Sequence, residues 1–263
     1  MPRVTLASGL TLECEEQGDP AGPAVVLLPG PTDSWRSYQP CLDLLPGDLR
    51  VVSVSQRGHG ESDKPDTGYG VEDFSADVVL LLDALAVDHA AIAGHSGSCL
   101  VARKVALDHP DRVTGLILEA SPATLRDDPL LLEFVESTVS QLVDPISPDF
   151  ARSFVTATSS DDLRPDLLDV LTDDLVKVPA RVWTETFAQL LRYDDTAELS
   201  LIDVPTLLVW GDRDTLVSRG AQDYLVHVLP DAQLLVYPGA GHTPRWDDPV
   251  RFSRDIATFA RRI

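Results

Sequence analysis

A chain of 263 residues, 44% hydrophobic and 24% charged, carries enough apolar material for one large domain or for a domain with a sizeable insertion. Its formal net charge of −21 speaks against nucleic acid and anionic membrane surfaces as partners, because holding phosphate requires a basic patch. The three cysteines, Cys14, Cys41 and Cys99, are an odd number without metal spacing, no apolar run reaches the ~18 residues of a membrane span, and the first residues hold no apolar signal core, so the expectation is a soluble cytoplasmic protein.

In chain order, "RVTLASGLTLECEE" reads as two short strands joined at Ser8-Gly9. Near-continuous apolar runs of strand length follow: Ala24–Leu28, Arg50–Ser55, His89–Gly94, Val113–Ala120, Pro205–Trp210 and Ala232–Tyr237. Runs of this kind, without alternation, belong to parallel strands covered on both faces. Between them lie helical patterns. Residues 71–87 carry Phe74, Val78, Leu81, Leu82 and Leu85 on one stripe, a second helix leaves "AIAGHS" and stops before Pro110, and Val250, Phe252, Ile256 and Phe259 line a closing one. The class is therefore α/β, a mostly parallel central sheet flanked by helices.

One stretch breaks the alternation. From residue 122 to 200 there are only helical runs, among them "PLLLEFVESTVSQLV", "PDLLDVLTDDLV" and "RVWTETFAQLLRY", separated by prolines. That is too long for a single crossover. The expected organisation is a core of residues 1–121 and 201–263 with a helical cap inserted at 122–200.

"GHSGS" places Ser96 in the turn between a buried strand and a helix, with Gly94, Gly97 and Ser98 as small neighbours. A serine hydroxyl attacks only when it is held proud of the backbone beside a base, and a tight strand-to-helix turn does this. The new helix also aims its free N–H groups at any oxyanion formed there. The usual pattern is G-x-S-x-G, and here the last position is Ser98. Two carboxylates, Asp212 and Asp214, follow the strand ending at Trp210, and His242 follows the strand ending at Tyr237. Both loops lie at carboxyl ends of strands, where open α/β sheets collect their ligands. In this reading His242 takes the Ser96 proton and an Asp orients it. His59, on the loop "QRGHGESD" after another strand, is a lesser candidate.

A strand followed by "PGPTDSW", then "QRGHGESD", "GHSGS", "WGDRD" and "GAGH", spread over nearly the whole chain, resembles the α/β-hydrolase superfamily, in particular its small capped serine hydrolases. The resemblance implies the α/β-hydrolase fold, no cofactor and no metal, and makes the second carboxylate, Asp214, the triad acid. It also implies an oxyanion hole made by Gly97 N–H and by the residue x of a His-Gly-x turn. Here Pro29 stands for the His and Pro31 for x, and proline has no N–H to give. Either Thr32 substitutes through its N–H or hydroxyl, or Gly97 and a water serve alone, or the site runs other chemistry. As a purely structural residue, Pro31 would simply stiffen the turn.

The expected activity is cofactor-independent hydrolysis of small neutral carboxylic esters or lactones, N-acyl homoserine lactones among them, through an acyl-enzyme on Ser96. Trp35, Trp183, Phe187 and Trp246 are candidates for an apolar acyl pocket and equally for plain core. Two other readings stand: a perhydrolase or other atypical chemistry on the same triad, and a non-catalytic protein that binds a small ligand. Oligomeric state is not legible.

Overall fold

The computed structural model describes residues 3–159 and 163–263. Its strands are β1 (Arg3–Thr5), β2 (Thr11–Gly18), β3 (Ala24–Leu28), β4 (Arg50–Ser55), β5 (Ala90–His95), β6 (Val113–Glu119), β7 (Thr206–Gly211) and β8 (Ala232–Tyr237). They form one sheet in the order β1-β2-β4-β3-β5-β6-β7-β8. The hairpin-like start pairs antiparallel, β1 with β2 and β2 with β4, and every later pairing is parallel. This is the mostly parallel α/β sheet expected from the apolar runs.

Alternate residues of each central strand feed two cores, because side chains of a strand point to opposite faces. Val26, Leu28, Ile92, Leu116 and Leu208 lie in one core. This face carries helices α2 (Val71–Ala84), α3 (Ser98–Asp108) and α8 (Arg219–Val228). Val25, Leu27, Ala91, Ile117 and Val209 lie in the other, under α1 (Gln39–Leu42) and α10 (Pro249–Ala260). Phe252, Ile256 and Phe259 of α10 are all buried there. Each such side chain contributes about 1.5–3 kcal/mol by leaving water.

Sequence signals set most helix starts. Asp128 caps α4 (Pro129–Ser137) by accepting from Leu131 N–H at 2.9 Å, and Asp248 caps α10 by accepting from Arg251 N–H at 3.0 Å. A proline follows each cap, where its missing N–H costs nothing. The first long helix ends earlier than its stripe suggests. Ala86 turns left-handed at φ 52°, Ala86 N–H bonds Asp83 O, and Val87 N–H bonds Leu82 O. This is a Schellman stop with alanine in the place glycine usually takes.

Between β6 and β7 the described residues form only helices: α4, α5 (Pro148–Ala157), α6 (Pro165–Leu175), α7 (Ala180–Leu190) and short 3₁₀ turns. The insertion has its own aromatic centre. Trp183 is fully buried, its ring 5.3 Å from Phe150, 4.9 Å from Phe154 and 5.8 Å from Phe187. Polar contacts tie it to the sheet. Glu185 accepts from Gly68 N–H at 2.8 Å and Arg181 donates to Lys64 O at 2.6 Å. Asp174 takes Arg36 at 3.0 Å and the Ser34 hydroxyl at 2.5 Å, both in the loop after β3. Among the described residues no helix is long and apolar enough to cross a membrane.

Candidate active site

The turn after β5 is built by small residues. A Cβ on Gly94 would stand 2.5 Å from Ser98 O and 2.8 Å from Cys99 Cα, so only glycine lets the strand pass so close to the helix that follows. Ser96 then adopts φ 54°, a left-handed conformation that L-residues avoid, and its N–H donates to Glu119 O at 2.9 Å. Such strain persists where the surroundings fix it, and it lifts the side chain off the turn. Helix α3 starts two residues later with its N-terminus toward the serine.

His242 and Asp214 meet across two loops. His242 Nδ1 lies 2.9 Å from Asp214 Oδ2, and both side chains are buried. The other oxygen, Oδ1, accepts from Leu216 N–H at 2.8 Å and from Val217 N–H at 3.0 Å, so the carboxylate is locked in place. With Nδ1–H facing the carboxylate, Nε2 is the nitrogen of His242 that can take a proton. Asp212 does something else. Its Oδ1 accepts from Gly239 N–H at 2.7 Å and ties the two loops together.

His95, the residue before Ser96, has its ring 4.9 Å from the His242 ring and tilted to it by 57°, and its Nε2 lies 3.1 Å from His242 O. A carbonyl only accepts, so Nε2 carries the hydrogen and the backbone of His242 is held against β5. Burial, with Arg245 and His242 adding to it, keeps His95 well below the usual histidine range and therefore neutral. His59 stands apart from this group. It is buried against Phe74 with Nδ1 on Arg57 O at 2.7 Å, and burial pushes it down to about 4.

The loop after β3 forms a tight turn. Asp33 N–H bonds Gly30 O at 3.1 Å with Pro31 and Thr32 between them. Thr32 takes φ 79°. That is the position of a type II turn where glycine is usual, after a proline. A β-branched residue held there is strained by about 1–3 kcal/mol. Thr32 is 1% exposed and its hydroxyl has no partner among the described residues. Pro31 covers the elbow, since a Cβ on Gly97 would come 2.9 Å from its Cγ. Neither Thr32 N–H nor Gly97 N–H donates to another described residue. Ser98 fastens this turn to the elbow. Its hydroxyl donates to Pro29 O at 2.6 Å and accepts from Gln56 Nε2 at 2.9 Å.

Below the turn lies an ion cluster that sequence patterns do not announce. Arg245, fully buried, donates to Glu119 Oε2 at 2.9 Å and its backbone N–H to Glu119 Oε1 at 2.9 Å. It also reaches Asp33 at 3.3 Å and stacks at 4.9 Å over Tyr38 and 4.7 Å over Trp246. One guanidinium, on the short helix α9 (Pro244–Asp247) after His242, thus joins the His242 loop, the end of β6 and the turn after β3. The only hints in the sequence are a glutamate closing an apolar run and an arginine three residues after His242.

The four aromatic candidates are not gathered in one place. Trp183 and Phe187 lie together in the insertion, and Trp35 is buried in the core under α1 and α10. Trp246 lies beside Arg245 and donates to Ser37 O at 2.7 Å. A cavity of about 450 Å³ opens at the opposite, amino-terminal edge of the strands, among Pro23, Arg50, His89, Thr114 and Ile263. It contains none of the residues above, and ligands of open α/β sheets bind at the other edge. Among the described residues no three His, Cys, Asp or Glu side chains gather closely enough to hold a metal ion.

A strained serine between a parallel strand and a helix, preceded by a histidine that touches the histidine of a loop-borne His–Asp pair, prompts comparison with known proteins. A family model described as alpha/beta hydrolase fold matches residues 23–249. The chain belongs to the α/β-hydrolase fold family. Among its α/β-hydrolase relatives is a 2-(acetamidomethylene)succinate hydrolase of Mesorhizobium japonicum, 28% identical over 245 residues that cover 89% of this chain and 85% of that one. A non-heme chloroperoxidase of Streptomyces lividans is 29% identical, covering 99% of this chain and all of the relative. A solved N-acyl homoserine lactone degrading enzyme superposes with a TM-score of 0.83 at 27% identity, covering 98% of this chain and 100% of that one. Relatives of this α/β-hydrolase chain thus include a hydrolase and a lactone-degrading enzyme beside a chloroperoxidase.

Proposed function

We propose that the protein is a serine hydrolase of small neutral carboxylic esters or lactones. The observation that carries this reading is the Asp214–His242 hydrogen bond at 2.9 Å, with the His242 ring 4.9 Å from that of His95, the residue before a serine held at φ 54°. Ser96 attacks the acyl carbon while His242 Nε2 takes its proton, and His242 then returns the proton to the leaving oxygen. Water, activated by the same histidine, releases the acid. Asp214 keeps His242 in the tautomer this requires. The oxyanion is held by Gly97 N–H and by Thr32, whose strained backbone turns an N–H and an unpartnered hydroxyl into place of the donor that Pro31 lacks. The helices of residues 122–200 serve as a cap over the site. With its three cysteines buried and free, the chain suits a reducing compartment such as the cytoplasm.

The test is hydrolysis of p-nitrophenyl acyl esters of graded length, with short lactones alongside. Wild type should turn over and Ser96→Ala should not. No Ser96-dependent turnover on any ester or lactone would overturn the reading.

A second reading has one observation of its own, the proline ring over Gly97. If water is a poor second nucleophile beneath it, hydrogen peroxide can take the acyl group from Ser96, giving a peracid and the free serine. Peroxide-dependent peracid formation from a carboxylic ester, absent in Ser96→Ala, would support this variant over simple hydrolysis.

A further inference from the structure

Helix α7 crosses the carboxyl ends of three neighbouring strands. Near its start Val182 packs on the loop after β4, 2.7 Å from where a Gly58 Cβ would be. At its end Leu190 packs on the elbow after β5, 3.1 Å from where a Gly97 Cβ would be. Strands β4 and β5 flank β3 in the sheet, two strand spacings or about 9.6 Å apart, and eight helical residues rise about 12 Å, so the helix spans the gap. Val182, Thr186 and Leu190 are successive i, i+4 positions on one face. Thr186, one turn before Leu190 on this face, is thereby set over the end of β3 and toward the Pro31–Thr32 turn, since Pro31 Cγ meets the same Gly97 position at 2.9 Å.

The chemistry of Thr186 is unusual for its place. It is 3% exposed, yet its hydroxyl has no partner among the described residues. Its neighbour Thr184 shows the ordinary solution, donating back to Ala180 O at 3.0 Å. Trp183, one turn earlier on the same side, is fully buried with its Nε1–H also unpartnered. Buried polar groups are nearly always satisfied, and exceptions ask for a reason.

We infer that Thr186 is a specificity residue that hydrogen-bonds a second polar group of the substrate, a neutral carbonyl oxygen of amide or ketone type a few bonds from the scissile carbonyl. The inference rests on the hydrolase reading and deepens it. The Thr186 hydroxyl can donate, so an acceptor oxygen of the substrate satisfies it. The face Val182–Thr186–Leu190 carries no cation, which favours a neutral carbonyl over a carboxylate. The preferred class is thus an acylamino- or oxo-substituted ester or lactone rather than a plain alkyl one.

The experiment compares p-nitrophenyl esters of N-acetylglycine and of pentanoic acid, matched in chain length, on wild type, Thr186→Val and Thr186→Ser. Wild type should favour the acetylglycine ester in kcat/KM by roughly tenfold or more, the worth of one buried hydrogen bond of about 1.4 kcal/mol. Thr186→Val should collapse that ratio, mainly through KM, and Thr186→Ser should restore most of it. A ratio unmoved by Thr186→Val, or both substrates falling together, would overturn the assignment while Ser96-dependent hydrolysis stands. If folded wild type hydrolyses neither ester yet turns over others of the ester and lactone series, this assignment fails while the hydrolase reading stands.

Discussion

Replacing Glu119 by glutamine changes the charge balance under the site with little change in shape. The Glu119 carboxylate is 1% exposed and faces Arg245, which is 0% exposed, through two contacts of 2.9 Å. Removing one partner of a buried pair costs about 3–5 kcal/mol, because the other charge stays out of water. Asp33, at 3.3 Å, still compensates part of the Arg245 charge, and the glutamine oxygen can accept one N–H. The expected loss is therefore at the lower end, about 3 kcal/mol. In a chain of this size that lowers Tm by roughly 6–10 °C. Urea unfolding of Glu119→Leu, Arg245→Met and the pair Glu119→Leu/Arg245→Met gives the cycle, with Glu119→Gln measured beside it. The double variant should lose far less than the sum of the singles, since a well-packed apolar pair replaces buried ions at little cost. Because Arg245 joins the His242 loop to the turn after β3, the Glu119→Gln enzyme should also lose kcat more than KM. A Tm within about 2 °C of wild type, or losses that simply add, would refute the reasoning.

Three further outcomes follow from the same geometry. Asp214→Asn should lower kcat by about 10⁴ by presenting the wrong partner to His242 Nδ1, whereas Asp212→Asn should mainly cost stability, about 1 kcal/mol, by loosening Gly239 N–H; equal kinetic losses would count against the assignment. Ser98→Ala frees Pro29 O and Gln56 from the elbow and should cost about 1–2 kcal/mol in urea unfolding together with a fall in kcat; unchanged kinetics would show that the clamp does not shape the site. The third concerns acid. Burial holds His59 at about 4 and His95 well below its ordinary value, so the unfolded chain binds more protons than the folded one between about pH 4 and 6.5. Stability should fall as pH drops through that window, with His59 alone accounting for about 3 kcal/mol, and His59→Gln should flatten the slope of urea-derived stability against pH. An unchanged slope would contradict it.

Much of the sheet was legible because its signal is local. Runs such as "AVVLL" and "TLLVW" bury both faces, and the structure puts parallel strands there within a residue or so. The strand–turn–helix around Ser96 was legible for the same reason, since close passage of backbone demands Gly94 and Gly97 within four residues. The Asp–His pairing was half legible. Two carboxylates shared one loop, and only the positions of Leu216, Val217 and Gly239 separate the one that faces His242 from the one that ties the loops. What stayed hidden depends on distant partners. Glu119 and Arg245 are 126 residues apart, and nothing in either neighbourhood marks them as a pair. Ser98 looked like a tolerated departure from glycine, and its bond to Pro29 O joins segments 69 residues apart. The end of α2 was missed because alanine, a good helix former, sits at the left-handed stop where glycine would have announced it. Trp35 and Trp183 show the limit of composition: both are buried tryptophans, yet Trp183 sits among the helices between β6 and β7 and Trp35 in the core under α1 and α10.

The central claim is that Ser96 is a nucleophile activated by His242. Its most direct test is covalent labelling of the folded protein with a serine-directed fluorophosphonate, followed by intact mass and peptide mapping. The account expects one adduct per chain, on Ser96, absent in Ser96→Ala and formed far more slowly in His242→Gln. No adduct on folded wild type, or one that persists in Ser96→Ala, would contradict it.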